Sequence, residues 1–240
     1  MRRFLATSLL LLVALTNGES THASAVDFED QTVTIALTQE PPQLNSMKAT
    51  DQVSILVLGH VMEGLTRYDR RGNIQPGVAE RWEIDDKGAT FWIRDDAHWS
   101  DGVPVTAHDF VFAWRNGLDP ATASEYAFIL YAVKNGEAIN KGELPVTELG
   151  ATAIDAKTLR VEFERPVPYF LKLAAFVSYA PVREDFFESR GERYAADASD
   201  LLYNGPFKIT EWVHGASLRM EKNEHYWDRE SITLNAIDAD

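Results

Sequence analysis

The sequence predicts a fold of the α/β class, a mixed α+β arrangement with many short strands and few helices. Apolar residues alternate with polar ones at Val33, Ile35 and Leu37, which is typical of a half-buried strand. Thr106 and Asp109 are spaced as a capping box, and they open a segment whose apolar residues recur at helical spacing. In 240 residues with a hydrophobic content of 45%, such elements carry enough apolar surface to form a buried core.

Before the capping box, short strands alternate with one helix. Pro41 and Pro42 end the first strand, because proline lacks a backbone donor and restricts the residue before it. Asp51 is placed to cap a helix that runs to about Glu63 and stops at Gly64. The predicted elements are a strand over 33–37, a helix over 51–63, a strand over 65–68 and a hairpin of 81–84 with 90–94.

After the capping-box helix, the pattern returns to hairpins and short helices. Asp155 to Lys157 reads as the turn of a second hairpin, and Pro166 and Pro168 favour the start of a short helix. The run Asn204 to Pro206 separates these elements from the last strands. The predicted elements are an irregular helical stretch over 119–141, a hairpin of 149–154 with 158–164, a helix over 183–189 and strands over 207–213, 217–221 and 232–237.

The first 25 residues have the form of a secretory signal peptide. Arg2 and Arg3 supply a basic start, the apolar run from Phe4 to Leu15 is too short to span a bilayer, and Ala23 and Ala25 fit the small-x-small cleavage rule. We therefore expect cleavage after Ala25 and a periplasmic protein with no membrane insertion. The absence of cysteine from the whole sequence rules out disulfides and a lipid-bearing cysteine.

The charge and the side-chain inventory exclude several classes of function. A formal net charge of −14 disfavours nucleic acid, whose binding depends on cationic contacts to phosphates. No two histidines are three or four residues apart, so the sequence predicts no metal site and no cofactor. Gly215 to Ser217 begins like a nucleophile elbow, but Arg219 stands where its second glycine belongs. The chain is predicted not to be an enzyme.

Three sequence runs together carry a resemblance that covers the whole chain after residue 25. They are 63–69 with 76–82 (EGLTRYD and PGVAERW), 96–111 (DAHWSDGVPVTAHDFV) and 119–127 (DPATASEYA), and three later runs agree: 166–170, 204–207 and 222–227. With these runs the chain resembles the family 5 extracellular solute-binding proteins of ABC importers, most closely the periplasmic oligopeptide-binding group.

The resemblance implies a type II periplasmic-binding-protein fold, whose two lobes close over a ligand. By it, residues 26–62 and 186–240 form a discontinuous first lobe and residues 63–185 an inserted subdomain of that lobe. Family members are about twice as long, so the second lobe is missing from this sequence and the chain looks truncated. We therefore expect the 240-residue form to bind peptide weakly or not at all.

The resemblance also implies the ligand site. Tyr126 matches a tyrosine that lines the peptide site of the family, and its ring and hydroxyl suit that role. The alternative for Tyr126 is packing between its helix and the hairpin. Thr50 and Gln52 fall on the first-lobe ligand loop, where the family often has an acid and an apolar residue. The implied partners are an oligopeptide, bound extended by strand-like pairing, and the membrane subunits of an ABC importer.

Two other functions stay open at this point. A single-lobe relative could act as a chaperone-like or transporter-interaction module. An importer protein of this family could instead bind a dipeptide, a murein peptide or a non-peptide solute.

Overall fold

Three β-sheets carry the strands between residues 25 and 240, the part of the chain that the computed structural model describes. The predicted signal peptide lies outside the described residues, apart from Ala25. The strands are β1 (Val26–Asp27), β2 (Thr32–Ile35), β3 (Thr66–Tyr68), β4 (Ile74–Pro76), β5 (Ala79–Asp85), β6 (Gly88–Ile93), β7 (Ala151–Asp155), β8 (Thr158–Glu162), β9 (Phe207–Val213), β10 (Ser217–Lys222) and β11 (Ala236–Ala239). The α-helices are α1 (Gln52–Val61), α2 (Ala107–Leu118), α3 (Gly136–Asn140), α4 (Phe170–Leu173) and α5 (Glu184–Arg190).

The first sheet joins the two ends of the described chain. Its strand order is β1-β2-β11-β10-β9, and β2 pairs with β11 in parallel, with Val33 opposite Ile237. Every other pair in this sheet is antiparallel. The predicted last strand, 232–237, is placed too early. Ile232 still ends the 3₁₀ turn of Arg229–Ser231, so the chain becomes a strand only at Ala236.

The second sheet, β5-β6-β8-β7, is antiparallel throughout and contains both predicted hairpins. Helix α2 packs on it and begins at the predicted capping box, where the Thr106 N–H donates to Asp109 Oδ2 at 2.9 Å. The indole N–H of Trp99 donates to the same oxygen at 3.1 Å. Asp109 is buried, and this burial raises the pKa of its carboxyl group.

A cluster of aromatic side chains fixes α2 against the segment 170–180. The Trp114 indole N–H donates to the Tyr179 carbonyl oxygen at 3.1 Å, and the two rings stack edge to face at 5.1 Å. Phe170 packs against Tyr179 at 5.7 Å, also edge to face. All three side chains are fully buried, so the segment 170–180 is held firmly against α2.

Helix α1 ends earlier than the sequence predicts, and Gly64 has a different role. The helix stops at Val61, with Met62 already extended at φ −124° and ψ 146°. A Cβ atom at Gly64 would lie 2.3 Å from the Ala174 carbonyl oxygen. The glycine is therefore required for a close approach of two backbones and is not the helix stop.

Candidate functional site

The predicted ligand loop is a short rigid segment in front of α1. Its conformation is set by Asn45, whose side-chain oxygen accepts the Met47 N–H at 3.0 Å. Asp51 caps the helix as predicted, accepting the Ser54 N–H at 2.8 Å. Thr50 is half-buried just before this cap, and Gln52 is exposed as the first residue of α1. The loop is thus held by local hydrogen bonds and reaches the surface at Gln52.

Tyr126 lies on a segment that is fastened to this same loop. The Ser124 hydroxyl donates to the Met47 carbonyl oxygen at 2.6 Å, joining residues 77 positions apart. The Tyr126 ring neighbours Phe128 at 5.7 Å and Phe176 at 6.4 Å, and its hydroxyl makes no hydrogen bond to any residue that the structure describes. The structure therefore ties the segment of Tyr126 to Met47, three residues before Thr50, and it shows no direct contact of Tyr126 with Thr50 or Gln52 among the described residues.

Around these residues the surface is more apolar than the sequence suggested. Phe128 is 58% exposed and Leu56, on α1, is 44% exposed, while Phe176 is half-buried. Sequence reasoning missed all three residues. One signal was available: Ile55 and Leu56 place apolar side chains on the outer face of α1, whereas a helix that packs on one side only has a polar outer face.

A groove of about 400 Å³ continues this surface along α1. Leu58 and Met62 form its buried floor, and Phe176 and Val177 stand on the opposite side. Gly59 opens the groove, since a Cβ there would meet no atom within 4 Å.

One of the residues that line the groove is a buried acid. Glu63 is 6% exposed and accepts hydrogen bonds from the Tyr226 hydroxyl at 2.5 Å and from the Trp227 indole N–H at 2.7 Å. The Arg67 guanidinium lies 3.8 Å from the same carboxylate and donates to Asp228 at 2.8 Å. Burial raises the pKa of Glu63 despite these favourable contacts. Every member of this cluster has a partner, so it supports the fold around the site.

A second carboxylate, that of Glu40, accepts hydrogen bonds from similar donors at the surface. Its carboxylate accepts from the indole N–H of Trp212 at 3.1 Å, His214 Nδ1 at 2.5 Å and the backbone N–H of Gly215 at 2.9 Å. The hydrogen bond from His214 is the main cause that lowers the pKa of Glu40. Gly215 has φ +74° and turns the β9–β10 hairpin, so the run that begins like a nucleophile elbow is a strand-to-strand turn.

Within the described part of the chain, neither a metal site nor a membrane-spanning helix is found. No group of three or more His, Cys, Asp or Glu side chains between residues 25 and 240 is arranged to hold a metal ion. No helix in that range is long and apolar enough to cross a membrane.

Comparison with known proteins identifies the family. The profile of the bacterial extracellular solute-binding proteins, family 5 (middle region), matches residues 73–239. The chain is 41% identical to the oligopeptide-binding protein OppA of Bacillus subtilis, over 86% of this chain and 38% of OppA. It is 34% identical to the periplasmic murein peptide-binding protein MppA of Escherichia coli, over 95% of this chain and 43% of MppA.

Solved structures agree with this fold. The substrate-binding domain of an oligopeptide ABC transporter from Bacillus anthracis is similar with a TM-score of 0.86 and 45% identity, over 90% of this chain and 42% of that one. OppA of Listeria monocytogenes bound to peptide is similar with a TM-score of 0.85 and 36% identity, over 88% of this chain and 42% of that one. The chain thus spans about two-fifths of the length of these relatives, and its fold is that of their type II binding-protein lobes.

The profile match covers more than half of the chain, and the two relatives cover 86% and 95% of it. The family consists of solute-binding proteins rather than enzymes, which confirms the prediction of a non-catalytic chain. The chain belongs to the bacterial extracellular solute-binding proteins of family 5.

Proposed function

We propose that this chain supplies the first lobe of a periplasmic binding protein that delivers oligopeptides to an ABC importer. The observation that carries the proposal is the hydrogen bond from the Ser124 hydroxyl to the Met47 carbonyl oxygen, which ties the segment of Tyr126 to the segment that leads into the Thr50–Gln52 loop. The similarity to an OppA structure bound to peptide supports the same assignment. In this proposal the peptide lies extended between this lobe and a second lobe, and closure of the two retains it.

The proposed site uses the backbone of the loop and the side chain of Tyr126. In this proposal the loop backbone at Thr50 and Gln52 pairs with an extended peptide, which gives affinity with little dependence on sequence. Tyr126 offers a ring for apolar contact and a free hydroxyl for a hydrogen bond. Thr50 and Gln52 are neutral, so the site on this lobe does not itself require a charged ligand.

We propose the division of the lobe that the resemblance implies. The five-stranded sheet draws its strands from residues 26–35 and 207–239, which supports a discontinuous first lobe of 26–62 and 186–240. The four-stranded sheet lies within 79–162 and supports an inserted subdomain of 63–185. Secretion through the signal peptide with cleavage after Ala25, and contact with the membrane subunits of the importer, belong to the same proposal.

The test is a titration of the ¹⁵N-labelled protein with penta-alanine, followed by nuclear magnetic resonance, which detects millimolar binding. We expect shifts at the amides of Thr50, Asp51 and Gln52. The variant Tyr126→Ala should weaken binding about tenfold, because a ring contact and a hydrogen bond are lost. Tyr169→Ala, which removes another exposed tyrosine, is the matched control and should change nothing. Equal affinity of Tyr126→Ala and the parent would contradict the proposed site.

The solute class is decided by a ligand panel in the same assay. Relatives of the chain include a dipeptide-binding protein and a probable deoxycholate-binding periplasmic protein. Penta-alanine, di-alanine, a murein tripeptide and deoxycholate are therefore titrated in parallel. Tighter binding of penta-alanine is the expected result, and a clear preference for any of the other three would overturn the oligopeptide assignment.

A further inference from the structure

We infer that the groove along α1 is a pocket for one large apolar side chain of the bound peptide. The inference rests on the proposed function and deepens it, because it names a side-chain preference that the loop backbone alone cannot provide. The groove lies between Leu58 and Met62 on one side and Phe176 and Val177 on the other. Its volume of about 400 Å³ is within the range of small-ligand pockets.

The polar side chains of the groove already have partners in the protein. The Thr66 hydroxyl donates to the Leu171 carbonyl oxygen at 2.6 Å, and Arg67 donates to Asp228 at 2.8 Å. The Glu63 carboxylate accepts from Tyr226 and Trp227. A polar ligand group would therefore lose its water without gaining a free hydrogen-bonding partner among these side chains. An apolar group gains contact with Leu58, Met62 and Val177, so the chemistry of the groove selects an apolar occupant.

The groove is continuous with the proposed peptide site in two ways. Phe176 lines the groove and also neighbours the Tyr126 ring at 6.4 Å. Along α1, Gln52, Leu56 and Gly59 follow one another at i, i+4 and i+7, so they share one exposed face of the helix. Leu56 is an exposed apolar side chain midway along this path.

The helix geometry sets the distance between the loop and the groove. Seven residues separate Gln52 from Gly59, which corresponds to about 10 Å along the helix axis. An extended peptide advances about 3.3 Å per residue, so it covers this distance in about three residues. The side chain that enters the groove therefore belongs to a residue about three positions from the one that pairs with the loop.

The experiment uses penta-alanine and its five variants with a single phenylalanine, titrated into the ¹⁵N-labelled protein. We expect one phenylalanine position to bind about tenfold more tightly than penta-alanine and to shift the amides of Gly59, Met62 and Val177. The variant Gly59→Phe fills the mouth of the groove with a ring and has open space for its Cβ atom. It should abolish this gain, whereas penta-alanine should still shift the amides of Thr50 and Gln52.

Glu188→Phe places the same ring on the exposed surface of α5, outside the groove, and should keep the full gain. Thermal unfolding followed by circular dichroism verifies that both variants are folded. A gain that survives in Gly59→Phe, or the absence of a gain at every position, would overturn the inference while the loop shifts still support the proposed function. The absence of shifts at Thr50 to Gln52 with every peptide would instead refute the proposed contact of this lobe with peptide.

Discussion

Glu63 and Glu40 are two carboxylates with similar donors and opposite titration behaviour. Each accepts an indole N–H, from Trp227 and Trp212 respectively, together with at least one further donor. The pKa of Glu63 is raised and that of Glu40 is lowered. The difference comes from burial, since Glu63 is 6% exposed whereas Glu40 retains 35% of its side-chain exposure. At the surface, hydrogen bonds determine the direction of the pKa shift of Glu40. In the interior, desolvation determines the direction of the pKa shift of Glu63.

The largest effect is expected for Glu63→Ala. The substitution leaves the hydroxyl of Tyr226 and the indole N–H of Trp227 without their acceptor, and it removes one of the two carboxylates beside Arg67. We expect a loss of about 3 kcal/mol in the free energy of unfolding, measured by urea denaturation. Glu188→Ala, on an exposed helix surface, is the control and should stay within about 0.5 kcal/mol of the parent. A loss below about 1 kcal/mol for Glu63→Ala would show that the cluster does not support the fold.

The second largest effect is expected in the pH dependence of the contribution that Glu63 makes to the free energy of unfolding. Because its pKa is raised on folding, the native state binds the proton more tightly than the unfolded chain does. The contribution of Glu63 to the free energy of unfolding is fully present below about pH 4.5, and it is lost as the pH rises through the native pKa. For one proton, the loss is at most about 1.4 kcal/mol per pH unit. The difference in unfolding free energy between the parent and Glu63→Gln, measured from pH 4 upward, should therefore shrink. A difference that grows with pH would mean that the pKa is lowered.

The smallest effect belongs to Glu40. Its pKa is lowered on folding, so its contribution is present above about pH 4.5 and is lost as the pH falls through the native pKa. Glu40→Gln should cost about 1 kcal/mol or less at pH 7, because the group is at the surface. The same urea titrations, carried down to pH 3, should show the parent and the variant converging. A loss as large as that of Glu63→Ala would remove the distinction between the two sites.

Local elements of this fold were predictable, because their signals lie within a few residues of each other. The cap at Asp51, the capping box at Thr106 and Asp109 and both hairpins of the second sheet depend on contacts over at most a few positions. The end of α1 and the start of β11 were misplaced, since both depend on packing. In particular, position 64 requires glycine because of the carbonyl oxygen of Ala174, a residue 110 positions away.

The candidate site was predictable only through the family resemblance. Tyr126, Thr50 and Gln52 carry no local pattern that marks a ligand site, and the link between their two segments is the Ser124–Met47 hydrogen bond over 77 positions. The groove could not be predicted from the sequence either, because residues far apart in the chain form it. Phe176 meets Tyr126 across 50 positions, and Trp227 meets Glu63 across 164. No periodicity in one sequence encodes such pairs.

The parallel pairing of β2 with β11 has a consequence for how the protein is made. Ile35 finds its partner Ala239 only after about 200 further residues have been synthesised. At 5 to 20 residues per second this takes about 10 to 40 s. During that interval one edge of β2 has no native neighbour, and this sheet cannot close at any earlier stage. The five-stranded sheet of the nascent chain therefore stays incomplete until synthesis reaches β11.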